Sequence, residues 1–283
     1  MSLSAYWRLG RFDRPIGTWL LFWPVLCALA LAQHGQPEIR LLVIFTLATV
    51  LMRTAGCILN DCFDKDFDGH VSRTNQRPLA TKELSVKQAL PVAFTMIVVC
   101  AGLVLMTNKL TILMSFLALG LAVVYPLGKR FFGMPQLILG FAFAWSVLMA
   151  YSATLNTIPP SAWVMFIGVA AWVFGYDTLY GMTDAEDDKK IGVRSSALTL
   201  GEKAPIGVGL SYAIAVFCWG IVGYLENLSI FYYIGLAAVV AHMIWQLLHT
   251  TTQHPQKCFQ AFKSNHWLGA ILFASIFLGC WIV

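Results

Sequence analysis

The chain has 283 residues, 58% hydrophobic and only 12% charged, with a mean hydropathy of +0.70. That composition excludes an ordinary soluble domain and indicates a polytopic helical membrane protein. The net charge of +5 is small, so the placement of the charges says more than their sum.

Apolar runs long enough to span a bilayer occur about nine times, near 16–33, 40–60, 88–107, 109–126, 133–154, 161–182, 204–224, 228–248 and 264–283. The expectation is an all-α membrane protein with a single domain over 1–283. The first run follows basic residues and ends Ala28-Leu29-Ala30-Leu31-Ala32, which resembles a signal peptide with a small-residue cleavage site. Trp19, Trp23 and Pro24 make an unusual signal core, so the run is read as the first helix. The second run ends in the acidic stretch Asn60-Asp61-Cys62-Phe63-Asp64-Lys65-Asp66-Phe67-Asp68. The third and fourth runs meet at a short turn around Asn108-Lys109. The sixth carries Asp177 inside its apolar span and is followed by Asp184-Ala185-Glu186-Asp187-Asp188. Acidic clusters thus follow the second and sixth helices, four helices apart, which predicts a two-part site where two halves of the chain meet.

Lys and Arg set the orientation. With the N-terminus in the cytoplasm, all nineteen basic residues except Arg40, Lys109 and Arg53 fall in cytoplasmic segments. Both acidic clusters then face the cytoplasm. The seven cysteines form no Cys-x-x-Cys and lie mostly in apolar stretches, so they read as small buried hydrophobes rather than disulfides.

If the second helix continues through its acidic stretch, Asn60, Asp64 and Asp68 recur at i, i+4 and i+8, and Asp61 joins Asp64 and Asp68 at i, i+3 and i+7. These spacings stack oxygen donors on one face. Asp184 and Asp188 repeat the i, i+4 spacing. Clustered carboxylates repel unless a positive charge sits among them. One such cluster reads equally as a solvated capping loop; two at matching helix ends favour a bound cation. Oxygen donors select Mg2+ over a soft metal, and Mg2+ on a few carboxylates usually holds phosphate. Basic residues follow closely: Arg73 and Arg77 after the first cluster, Lys189, Lys190 and Arg194 after the second, and Lys129 and Arg130 at the end of the fourth run. They suit phosphate oxygens, although cytoplasmic loops carry such residues in any case. Arg53 precedes Asn60 by seven residues, about 10 Å deeper by helical rise. It either receives the carboxylate of an organic acid or neutralises Asp177, and Asp177 is either a catalytic group or half of a buried pair.

Asn60-Asp61-x-x-Asp64-x-x-x-Asp68 resembles the first signature of the UbiA superfamily of intramembrane prenyltransferases. Asp184-x-x-x-Asp188 is similar to its second signature, and Tyr125-Pro126-Leu127-Gly128-Lys129 to its Tyr-x-x-x-Lys motif. Arg14-Pro15-Ile16-Gly17-Thr18-Trp19, Asp68-Gly69-His70-Val71 and Tyr176-Asp177-Thr178-Leu179-Tyr180 look like the branch that prenylates 4-hydroxybenzoate for ubiquinone. The likeness covers most of the chain and weakens after about residue 205. It implies helices around a central cavity in the bacterial inner membrane, or the mitochondrial one in a eukaryote. It implies Mg2+ on Asn60, Asp64, Asp184 and Asp188, supported by Asp61 and Asp68. Arg73, Arg77, Tyr125 and Lys129 would contact the diphosphate, and Asp177 or the released diphosphate would take a ring proton. The partners implied are polyprenyl diphosphate, 4-hydroxybenzoate and membrane lipid, with no nucleic acid. A haem or naphthoate acceptor is the nearest rival. A cation-coupled transporter is the rival from another class, and it calls for more mid-helix charges than Arg53 and Asp177.

Overall fold

The computed structural model describes residues 3–65, 69, 74–250 and 254–281, with the side chains of Lys129, Arg130 and Ile191 excepted. Asp66, Asp68 and Arg73 therefore lie outside the described residues, as does the Lys129 side chain. Among the described residues there are helices and no strands. The order is α1 Leu3–Leu9, α2 Ile16–Ala32, α3 Ile39–Asp64, α4 Val86–Leu105, α5 Lys109–Phe131, α6 Pro135–Leu155, α7 Pro160–Ile191, α8 Ser196–Leu200, α9 Ala204–Leu225, α10 Ile230–His249 and α11 Pro255–Trp281. Seven helical stretches are long and apolar enough to cross a membrane, and α2 is a shorter apolar helix. Large apolar side chains on the outer surface, such as Phe94, Phe116, Phe217 and Leu248, stay exposed. A band of that kind suits hydrocarbon rather than water. This is a multi-pass membrane protein.

Two helix boundaries differ most from the hydropathy reading, and both differences shape the site. Hydropathy ends the sixth long helix near 182, whereas α7 runs to Ile191 and carries Asp184 and Asp188 within its last turns. At 32 residues it is about 48 Å long, well beyond the roughly 30 Å of hydrocarbon, so its charged end clears the apolar layer. Charge bars these turns from lipid without preventing helix formation. Lys189 and Lys190 suit the negative end of the helix dipole. Gly192 stops the helix in the left-handed region at φ 73°, where a glycine is at ease. The second difference is α11, which starts at Pro255 rather than near 264, proline being suited to a first helical turn. Its polar first turns escape a hydropathy window yet face the interior. Helix α3 continues through Asn60, Asp61 and Asp64, whereas Asp68, the last member of that spacing, lies outside the described residues.

Helices α2, α6, α7 and α11 pack on one another, and α3, α4 and α5 continue from α2 round to α6. Helices α9 and α10 back α7 and α11 from outside. Leu20, Val25 and the stretch Cys27–Ala32 of α2 are buried in the core, so α2 is an integral part of the bundle. Helices α6 and α7 approach closely at Gly140, where an added methyl would sit 2.7 Å from the Ala170 carbonyl oxygen. Small residues at such crossings replace the hydrophobic drive that lipid does not supply. Behind them runs a buried polar network. Tyr212 donates to Gln246 Oε1 at 2.6 Å, Gln246 to Ser264 Oγ at 2.9 Å, and Trp172 Nε1 to Asn265 Oδ1 at 2.7 Å. It ties α7, α9, α10 and α11 together in a medium where unmet polar groups are costly.

Gly140→Val forces α6 and α7 apart against backbone and should destabilise the bundle by about 1–3 kcal/mol. The check is the thermal midpoint in detergent, with Gly220→Ala as the comparison: a methyl there meets nothing within 4 Å, and the midpoint should not fall.

Candidate functional site

The bundle encloses a cavity of about 1280 Å³, lined by α2 to α7, α11 and the adjoining loops. It has a polar end and an apolar end. The polar end receives Asn60, Asp61 and Asp64 from the last turn of α3, Asp184 and Asp188 from the last turns of α7, and Tyr125 from α5. Arg77 reaches it from the loop before α4. The apolar end is walled by side chains such as Ile44, Phe45, Val104, Leu119 and Met149. Arg53 and Asp177 lie along the wall between. Nine predicted site residues thus border one space, although Asn60 and Asp188 are more than a hundred positions apart.

The polar end is already ordered. Asn60 Nδ2 donates to Asp64 Oδ2 at 3.0 Å across one turn of α3. Asp61, 1% exposed, accepts from Arg11 on both oxygens at 2.7 and 2.6 Å. Arg77 lies 3.0 Å from its Oδ1. One buried carboxylate therefore joins the α1–α2 connection, α3 and the 74–85 loop. A second pair, Arg8 with Glu83, ties α1 to that loop. Asp61 sits at the base of the site as a clasp for two guanidiniums.

Deeper in, the Arg53 guanidinium lies flat against Gly17 of α2. A Cβ at Gly17 would come within 2.5 Å of its Nε, so a larger residue there would displace the guanidinium from this position. Among the described residues Arg53 forms no ion pair, with Asp177 or any other carboxylate. Asp177 is 8% exposed and sits at the same depth on α7, seven residues before Asp184.

Several lining residues were not legible in the sequence. The first turns of α11 bring Phe259, Phe262 and Lys263 to the wall, with Lys263 Nζ 4.9 Å from the Phe259 ring centroid. Arg11 counts only as one of the cytoplasmic basic residues until its partner fifty residues away is known. Tyr176 is marked only as part of a stretch that resembles the family, with no role attached to it. No local spacing marks any of them.

Among the described residues no three His, Cys, Asp or Glu side chains converge into a closed metal cage. The hard oxygen donors come instead from two helix ends that face one cavity. That arrangement fits a cation taking one or two ligands from each side and the rest from phosphate and water, as Mg2+ does.

A bundle of apolar helices closed around one deep cavity, with carboxylates gathered at one end, defines a multi-pass membrane enzyme. Residues 21–269 match the model of the UbiA prenyltransferase family, and the chain belongs to that family. The chain is 42% identical over 266 residues to a 4-hydroxybenzoate octaprenyltransferase of Pseudomonas aeruginosa (strain UCBPP-PA14), covering 94% of this chain and 90% of that one. It is 45% identical over 278 residues to the enzyme of the same name from Azoarcus sp. (strain BH72), covering 98% and 96%. Its fold is similar to the apo structure of a UbiA homolog from Aeropyrum pernix K1, with TM-score 0.79 and 23% identity over 90% of this chain and 96% of that one. A UbiA homolog from Archaeoglobus fulgidus bound to GPP and Mg2+ matches with TM-score 0.73 and 19% identity over 96% and 98%.

Removing one member of a buried charge set costs about 3–5 kcal/mol. Asp61→Ala leaves Arg11 and Arg77 facing each other and should lower the thermal midpoint and open α1 to limited proteolysis. Asp64→Ala, at a more exposed position, should leave both measurements close to the wild type.

Proposed function

We propose that this protein transfers a polyprenyl group from polyprenyl diphosphate to 4-hydroxybenzoate, at the ring carbon ortho to the hydroxyl, in ubiquinone biosynthesis. The observation that carries the reading is the two-tier cavity: oxygen donors from α3 and α7 at its polar end, and Arg53 and Asp177 on the wall below them. The names of the relatives and the GPP and Mg2+ of the archaeal homolog support it. Asn60, Asp64, Asp184 and Asp188 would hold Mg2+, with Asp61 and Asp68 in support. When bound there, Mg2+ supplies charge neutralisation for the diphosphate leaving group.

The chain's own residues do the rest. Arg73, Arg77, Tyr125 and Lys129 bind diphosphate oxygens and stabilise the charge that grows on them. Arg77 comes to this task from its pair with Asp61. The apolar walls hold the prenyl tail and keep water from the allylic cation formed when the carbon–oxygen bond breaks. The bonding pair leaves with the diphosphate. Arg53 takes the carboxylate of the acceptor and so points the phenol ring at the reacting carbon. A ring carbon forms the new carbon–carbon bond, and its proton passes to Asp177 or to the released diphosphate. The distribution of Lys and Arg supports a polar end that opens to the cytoplasm, and the membrane proposed is the bacterial inner membrane, or the mitochondrial inner membrane in a eukaryote.

The test is prenylation of radiolabelled 4-hydroxybenzoate by the purified protein in detergent. Product should form only with a divalent cation, and Mg2+ should serve. Asp64→Ala combined with Asp184→Ala should lower kcat by about 100-fold or more, several kcal/mol of transition-state stabilisation; intact activity would sink the assigned metal site. Arg53→Met should raise KM for the acid about 10-fold or more while KM for the diphosphate holds. A naphthoate preferred over 4-hydroxybenzoate would overturn the acceptor assignment.

A further inference from the structure

Four buried side-chain polar atoms find no hydrogen-bond partner among the described residues: Thr154 Oγ1, Tyr176 Oη, Trp219 Nε1 and Ser229 Oγ. Only Tyr176 among these residues borders the large cavity. Buried hydroxyls are normally satisfied, and an orphan is a net cost to folding. A phenylalanine would fill the same place without that cost.

The ring has little freedom to seek a partner elsewhere. It meets Trp172 edge-on, with centroids 5.4 Å apart, and lies 6.0 Å from Phe262. Trp172 is itself fixed by its bond to Asn265, on the buried polar network. Tyr176 is 1% exposed, so bulk water does not serve its hydroxyl either. Its depth matches that of Arg53. Tyr176 precedes Asp184 by eight residues and Arg53 precedes Asn60 by seven, so both sit about 10–12 Å below the oxygen donors by helical rise. Arg53 and Asp177 line the same cavity as Tyr176.

We infer that Tyr176 is an acceptor-binding residue whose hydroxyl donates a hydrogen bond to the carboxylate that Arg53 holds, so that the aromatic acid is anchored at two points. This rests on the acceptor assigned above. The pair sets specificity as well as affinity. A phenol without the carboxylate leaves both a guanidinium and a hydroxyl unmet in a dry pocket, a penalty that rejects such analogues strongly.

The experiment is steady-state kinetics of the full-length protein in detergent with Mg2+, varying 4-hydroxybenzoate at saturating polyprenyl diphosphate and then the reverse. Tyr176→Phe should raise KM for the acid about tenfold or more and leave KM for the diphosphate unchanged. Its thermal midpoint should stay level or rise, because an unsatisfied group has been removed. Tyr176→Met, another side chain without a donor, should give the same split between the two KM values. An acid KM within about twofold of wild type, or both KM values rising together with a lower thermal midpoint, would overturn the inference. Wild-type protein that does not prenylate 4-hydroxybenzoate sinks the acceptor assignment instead, whereas active wild type with an indifferent Tyr176→Phe sinks this inference alone.

Discussion

An ionised group is costly in hydrocarbon, and the polar architecture of this protein follows from that cost. The carboxylates cannot sit at mid-membrane on lipid-facing surfaces, so they ride on helices that outlast the apolar layer. Helix α7 reaches 32 residues and α3 reaches 26, and each carries its acids in the final turns. Where a carboxylate is fully buried, as at Asp61, two guanidiniums meet it. Where a guanidinium goes deep, as at Arg53, it is turned into the cavity and given space by a glycine on the neighbouring helix.

The same cost makes the cavity a directional device. Charge collects at one end, apolar surface at the other, and a small polar tier lies between. A substrate with an anionic head and a long hydrocarbon tail has one favourable way to lie in such a space. For a second substrate, small and acidic, Arg53 offers a counter-charge in the middle tier. Proximity comes from the polarity gradient, and the buried network behind α7 keeps the wall rigid.

Much of this is written in local sequence. The apolar runs mark the bundle, and the spacing of Asn60, Asp61 and Asp64 marks a helical face because α3 does continue through it. What hydropathy misses are the polar helix ends, since a window that counts apolar residues stops where charges begin. It therefore ends α7 before Asp184 and starts α11 after Phe259, Phe262 and Lys263. Contacts between distant residues are illegible for a different reason. Nothing near Arg11 names Asp61 as its partner, nothing near Gly17 announces Arg53, and Tyr176 differs from a core aromatic only by a hydroxyl whose surroundings are set by other helices.

The central claim is that α3 and α7 supply two halves of one diphosphate site. The direct measurement is a double-mutant cycle on the Mg2+-dependent dissociation constant of a non-reactive prenyl diphosphate analogue, using Asp64→Ala, Asp184→Ala and the double variant. Residues in one site should be coupled by about 1 kcal/mol or more, so the double variant should lose at least that much less binding free energy than the two single losses summed. Free-energy losses that add to within about 0.5 kcal/mol would show independent sites and contradict the account.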